Sequence, residues 1–269
     1  MMHSKSSHAL LAALLYSIQL IHSKTITWLP SGSGDLHNVG NWDSTTLPTT
    51  NDDLIINIKN NHNADTVLSL NQGDLLSAHS LTVSGKLLLS IESTIRIDTI
   101  TLSDGAWMHI QGAELHSSKI GIAQNSSLLL DSVVVQGNNL QLNIHSGAEL
   151  IIGNHDSTNS AEQSTATHFI NTNIQNAGHM TWYTGALILD SSQLHNTNQL
   201  QLMGNILNTG SSSDATKVYN TGTLIMNALQ QDQLIGLPIV SSGKISLPGT
   251  GSSGSTVKIQ NNFNVESGM

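Results

Sequence analysis

Cysteine is absent from the 269 residues, so no disulfide braces the fold and stability must come from its core alone, a condition that a long repeat array meets better than a small domain. Aromatic residues make up only 3%, too few for a globular core in which Phe, Tyr and Trp carry much of the burial, but enough for stacked aliphatic ladders. Charged residues are 10% of the chain, against about 25% in ordinary domains. Solubility therefore rests on hydroxyls, amides and a net charge of -9. The nine Lys and Arg are spread singly and include one arginine, Arg96. The lack of clustered cations to neutralise phosphates argues against nucleic acid or anionic membrane as partner. Only four prolines occur, beside 22 glycines, and the enrichment in Ser, Thr, Asn, Leu and Ile favours many short strands joined by turns.

What is present is a repeat. A small residue, a glycine and a short apolar run, as in Val83-Ser84-Gly85-Lys86-Leu87-Leu88-Leu89, recur along most of the chain. The corner residue is found at Asp65, Gly85, Gly105, Asn125, Gly147, Gly178, Asn198, Gly222, Gly243 and Gly268, with steps of 20, 20, 20, 22, 31, 20, 24, 21 and 25. Gly, Asn and Asp adopt positive φ most easily, so this class at this spacing predicts one left-handed corner used again and again. A second strand per coil is expected through Leu81, Ile100, Ile120 and Leu140. Helical repeats would carry a 3.6-residue periodicity that is missing. The long steps place polar insertions at 153–167 and 209–216, which read as protruding loops.

The first 23 residues have the form of a secretory signal: Lys5 in a polar start, an apolar run from Ala9 to Ile21, and a cleavage expected between Ser23 and Lys24. That run has 13 residues, short of the roughly 20 a bilayer span needs. Residues 24–58 read differently from the coils and carry two of the four tryptophans. A stack of coils exposes an apolar end and a strand edge, so this segment is expected to be the N-terminal cap. Residues 59–269 are the coils. The chain closes on Glu266-Ser267-Gly268-Met269, a turn that starts a coil, which predicts a truncated piece of a longer protein.

The order Thr27-Trp28, Asn41-Trp42, Pro48 and Asp52-Asp53 before a strand resembles the opening of secreted and surface proteins that continue as right-handed parallel β-helices of the pectin-lyase-like type. The stretch Asn176-Ala177-Gly178-His179-Met180-Thr181-Trp182-Tyr183-Thr184-Gly185 resembles coil text in that group. The expected fold is thus all-β: a single-stranded parallel β-helix of about 20–25 residues per coil, right-handed by the resemblance and by the preference of parallel crossovers.

Chemistry is sparse on such a frame. Rungs stack about 4.8 Å apart, so two carboxylates one period apart would form a usable acid/base pair. Yet Glu149 stands over Ser127 and Trp107, Asp131 has no acidic partner, and Asp52-Asp53, being adjacent, face opposite ways. A pectate-lyase-like enzyme would need a basic proton acceptor and a calcium cluster of carboxylates, whereas 20 residues beyond Arg96 stands His116. Polygalacturonase-like motifs and calcium nonapeptide repeats are missing. The 13 histidines show no helical metal pairing; their only local cluster is His155-Asp156, with His168 after it. Asn125-Ser126-Ser127 is a glycosylation sequon at a turn. An outward strip of Leu87, Trp107 and Leu129, with Leu89 and His109, is a candidate sugar-stacking face.

The expected protein is therefore a secreted or cell-surface scaffold without catalysis, adhesive to extracellular polysaccharide or cell-surface glycans, with binding candidates Trp107, His109, His155 and Asp156. It needs no cofactor or metal, and its mature chain has no membrane span. The competing readings are a polysaccharide lyase or glycoside hydrolase acting through the 153–167 loop, and an ectodomain fragment of a larger membrane protein.

Overall fold

The computed structural model describes residues 23–30, 33–58, 66–70, 73–90, 93–153, 166–183, 186–203, 205–208, 216–226, 233–247, 257–259 and 263–265. Its strands pair in parallel, each inner strand with the strand one lap earlier and one lap later. The result is a β-solenoid, as the repeat predicts.

Each full coil lays down three short strands. The first face is a ten-stranded sheet that includes Lys86–Ser90, Trp107–Gln111, Ser127–Asp131, Glu149–Ile152, His179–Trp182, Gln199–Leu202 and Thr223–Met226. The second and third faces run together in a 16-stranded sheet, because strands such as Leu75–Ser84, Thr94–Leu102 and Thr167–Asn176 bend across the corner between them. Along each strand side chains alternate, so every second residue enters the core. Leu128, Leu130, Ile120, Ile122, Val135 and Leu115 are all buried to within 1%.

One core column records a change of construction halfway along the stack. Val83, Leu102, Ile122 and Ile144 lie over one another in register, and the same column continues as Asn176, Asn196, Asn220 and Ser241. All eight are buried. After Leu102, Ile122 and Ile144 the corner to the first face takes four residues, Ser103 to Ala106, Ala123 to Ser126 and His145 to Ala148, closed by backbone bonds from Ala106 N to Ser103 O (2.9 Å), Ser126 N to Ala123 O (3.2 Å) and Ala148 N to His145 O (2.9 Å), whereas after Val83 it takes only Ser84 and Gly85. In the second half the corner has only two residues, and a side chain does the closing. Asn176 Oδ1 accepts from Gly178 N at 3.2 Å. The amides then bond along the column: Asn176 Nδ2 donates to Asn196 Oδ1 (2.7 Å), Asn196 Nδ2 to Asn220 Oδ1 (2.6 Å), and Asn220 Nδ2 to Ser241 Oγ (2.9 Å). Burial is tolerable for these amides because each finds partners.

This corrects the single left-handed corner expected from sequence. Gly85, Gly105, Asn125 and Gly147 do have positive φ, at 88°, 73°, 57° and 77°. Gly178, Asn198, Gly222 and Gly243 do not. Glycine is needed at 178 for room instead: a Cβ there would sit 2.3 Å from Ala148 O and 2.5 Å from His145 O. Asp65 and Gly268 lie outside the described residues, as do 154–165 and 209–215 of the expected loops, residues 1–22 of the expected signal and the closing four residues. The second-strand alignment holds for Leu81, Ile100 and Ile120, but Ile120 pairs with Leu142, not Leu140. An irregularity between Gln136 and Leu140 shifts the register by two, which keeps side chains on the same face and so leaves no trace in the apolar pattern.

Residues 24–58, the expected cap, start with the strand Thr25–Thr27 on Asp53–Asn57. Trp28 and Trp42 form an isolated antiparallel bridge, with their rings edge to face at 5.1 Å, and the Trp42 Nε1 donates to Leu36 O at 2.9 Å.

Two substitutions test the change of corner. Gly105→Ala meets open space and only the left-handed penalty, about 1–2 kcal/mol. Gly178→Ala meets two backbone oxygens and is expected to lower the denaturation midpoint further than Gly105→Ala. Asn196→Ala orphans the Asn220 Oδ1 and is expected to destabilise by about 1–3 kcal/mol. Equal midpoints for the two glycine variants, or no loss in Asn196→Ala, would contradict this account of the corners.

Candidate functional site

Among the described residues, two outward patches bring together polar or aromatic side chains from several successive rungs. The first is on the first face. Lys86, Trp107, Ser127 and Glu149 lie in one outward column, and Leu88, His109, Leu129 and Ile151 in the next. The half-buried Trp107 ring is held from two sides: Lys86 Nζ is 5.1 Å from its centroid, a cation–π distance, and the His109 ring meets it edge to face at 5.9 Å and 71°. Such contacts fix the ring at little entropic cost on binding.

The structure thus brings Trp107, His109 and Leu129 onto one surface but removes Leu87 and Leu89 from it. Both leucines are buried, at 0% and 1%; their coil presents Lys86 and Leu88 outward. Lys86 directly follows Gly85, whereas the buried Ala106 stands between Gly105 and Trp107, and Lys86 pairs with Trp107. Counting from the glycines slips the strand by one residue, and a slip of one exchanges the two faces.

His109 is more than a neighbour. Its Nε2 is buried and has no hydrogen-bond partner, and burial pushes its imidazole below the ordinary histidine value, against the opposing pull of Asp131.

The second patch is a groove of about 360 Å³ at the corner between the second and third faces, lined by Arg96, Asp98, His116, Ser118, Gln136, Asn138 and Asn171 among others. Arg96, His116 and Gln136 are successive members of one outward column. Glu114 ties two of them together. Its Oε1 lies 3.0 Å from His116 Nε2 and accepts from Gln136 Nε2, which in turn is 3.2 Å from His116 Nε2. The lip of the groove is the irregularity already described. Five residues lead from Gln136 to Gln141, where three lead from His116 to Lys119 and from Ile170 to Asn173. Asn139 and Asn171 turn there with φ of 57° and 51°. Gly137 is forced by close approach, since a Cβ would fall 1.9 Å from Ser117 O. Sequence reasoning singled out Arg96 and His116 but read their spacing only for a missing acid. The usable signal was Glu114, two residues before His116 on the same side of the strand.

The other candidates are dispersed. His155 and Asp156 lie outside the described residues. His168 lies over Val134 on the second face, two rungs beyond Glu114. Asn125 is exposed at its corner with Nδ2 donating to Asp104 Oδ1 at 3.0 Å, and Ser127 of the sequon points Oγ to Glu149 Oε2 at 3.4 Å. Beside the expected cleavage point, Lys24 Nζ donates to Ser44 Oγ at 2.8 Å, and hydrogen bonds from the Ser80 and Ser23 hydroxyls hold the Asp53 carboxyl below its ordinary value. The buried Asp52 accepts from Thr49 N and Thr49 Oγ1, both at 2.7 Å, as a turn carboxylate does. Glu149, on the first face, is in register with Ser127 on one side and His179 on the other, and so has no carboxylate on either adjacent rung.

Burial also lowers His195, whose ring stacks on Tyr219 at 4.6 Å. Both His109 and His195 then take protons more readily when unfolded. Their contribution is complete above the ordinary value near pH 6.5 and is lost as pH falls through the depressed folded values. Stability should drop across that window, and His109→Gln with His195→Gln should flatten the drop; an unchanged slope in the double variant would contradict it. Compared with protein-family models, curated proteins and solved structures, the chain finds no match in any of the three.

Proposed function

We propose that this protein is an extracellular β-solenoid scaffold that holds glycans on its first face without catalysing their cleavage. The observation that carries the reading is the Trp107 ring, set outward on a flat sheet and braced by Lys86 and His109. A sugar ring packs its C–H face on such an indole, while Ser127 and Glu149 on the following rungs offer polar groups to hydroxyls. The stacked rungs make the platform rigid, so little ordering is left to oppose binding. Secretion is supported by the leader-like text of residues 1–23, and the absence of cysteine leaves the fold indifferent to the redox state of its compartment.

The lyase or hydrolase reading rests on Asp156 and His155 in the 153–167 loop, and nothing in the described residues favours it over binding. A glycan array reports on both. The wild-type protein is expected to retain a defined set of neutral or weakly charged glycans, and Trp107→Ala to reduce retention at least tenfold with its denaturation midpoint unchanged. Retention that survives Trp107→Ala, or a flat array, would overturn the assignment. So would release of new reducing or unsaturated ends, abolished by Asp156→Ala. Secreted material is expected to begin at Lys24 on N-terminal sequencing.

A further inference from the structure

We infer that the corner groove between the second and third faces is a separate site for a small hydroxylated ligand bearing a single oxyanion, a carboxylate or a sulfate ester. The central observation is Arg96. It is the one arginine of the chain, it is exposed at the groove, and its guanidinium forms no hydrogen bond or ion pair with any described residue. A planar fork of N–H donors matches a carboxylate or sulfate edge in two parallel bonds.

The neighbouring acids are placed so as not to neutralise it. Asp98 is turned to His79, 3.4 Å from its Nδ1. Glu114 is engaged by His116 and Gln136. That engagement also holds His116 and Gln136 in place beside Arg96 on the next rungs. The lip then adds what a plain corner lacks: the two extra residues of this one coil put Asn138 across from Asn171, with amide donors and acceptors for hydroxyls. A volume of about 360 Å³ suits one or two sugar-sized rings.

The same acids set the charge of the ligand. Asp98 and Glu114 flank the one arginine of a chain of net charge -9, so the groove accepts one negative group and repels a run of them. A polyanion should bind no better per anionic group than a monoanion.

Amide chemical-shift titration of the full chain separates this site from the first face, because it reads Gly137, Asn138 and Asn171 rather than Trp107. Gluconate and glucose 6-sulfate are the probes, with glucose as the uncharged control. Saturable shifts at those three residues with both anions and none with glucose are expected. Arg96→Gln should weaken both anions at least tenfold with the remaining spectrum unchanged, and Arg96→Lys should retain part of the affinity. Saturation by glucose at equal strength, anion binding undiminished in Arg96→Gln, tighter binding of a polyanion per charge, or no saturable shift would each overturn the inference.

Discussion

A parallel strand cannot satisfy its own backbone: the N–H and C=O groups of each rung find their ladder partners in the coil before or after it. From that dependence the rest of the molecule follows. Corners must stay in register from lap to lap, inward positions must form columns, and any change of length in one coil must be absorbed where it does not disturb the ladders. The core columns obey this at every described level. Where the corner beyond Ile144 shortens from four residues to two, the column changes from aliphatic to amide at the same point, and the side chain of Asn176 takes over a closure that backbone made in the three preceding coils.

The same constraint explains where function can be placed. Strand positions are committed, one side to the core and the other to a flat surface with side chains about 4.8 Å apart. Among the described residues distinctive chemistry arises in two ways: by an aromatic residue on the flat surface, as at Trp107, or by extra residues at a corner, as at 137–139. The first yields a platform and the second a recess.

Much of the architecture was legible in the spacing of Gly85, Gly105, Asn125 and Gly147, because stacking forces equivalent corners to recur at the length of a coil. The alignment of Glu149 over Ser127 and Trp107 was legible for the same reason. What failed was phase within a coil. Leu87 and Leu89 were assigned outward because Ala106 has no counterpart after Gly85, and a single residue decides a face. Leu140 was aligned with Ile120 because a two-residue bulge preserves the alternation that would otherwise reveal it. The later corners were given the wrong conformation because glycine serves close approach as well as positive φ, and a sequence records only that glycine is there. The groove was missed because its parts, Arg96, Glu114, His116 and Asn138, come from three laps and become neighbours only when the register is known.

Parallel, in-register stacking is therefore the claim to test, and the lack of native cysteine makes spin labelling clean. Ser127, Glu149, His179, Gln199, Thr223 and Lys244 occupy one outward column on successive rungs. Labels at Ser127 and Lys244 are five rungs apart, so pulsed electron resonance should give a narrow distance near five times the rung spacing, about 24 Å between backbones. Shifting one label to Thr223 should shorten that by one rung although the sequence separation changes by 21 residues. A broad distribution, or a distance that follows sequence separation instead of rung number, would contradict the stack and everything built on it.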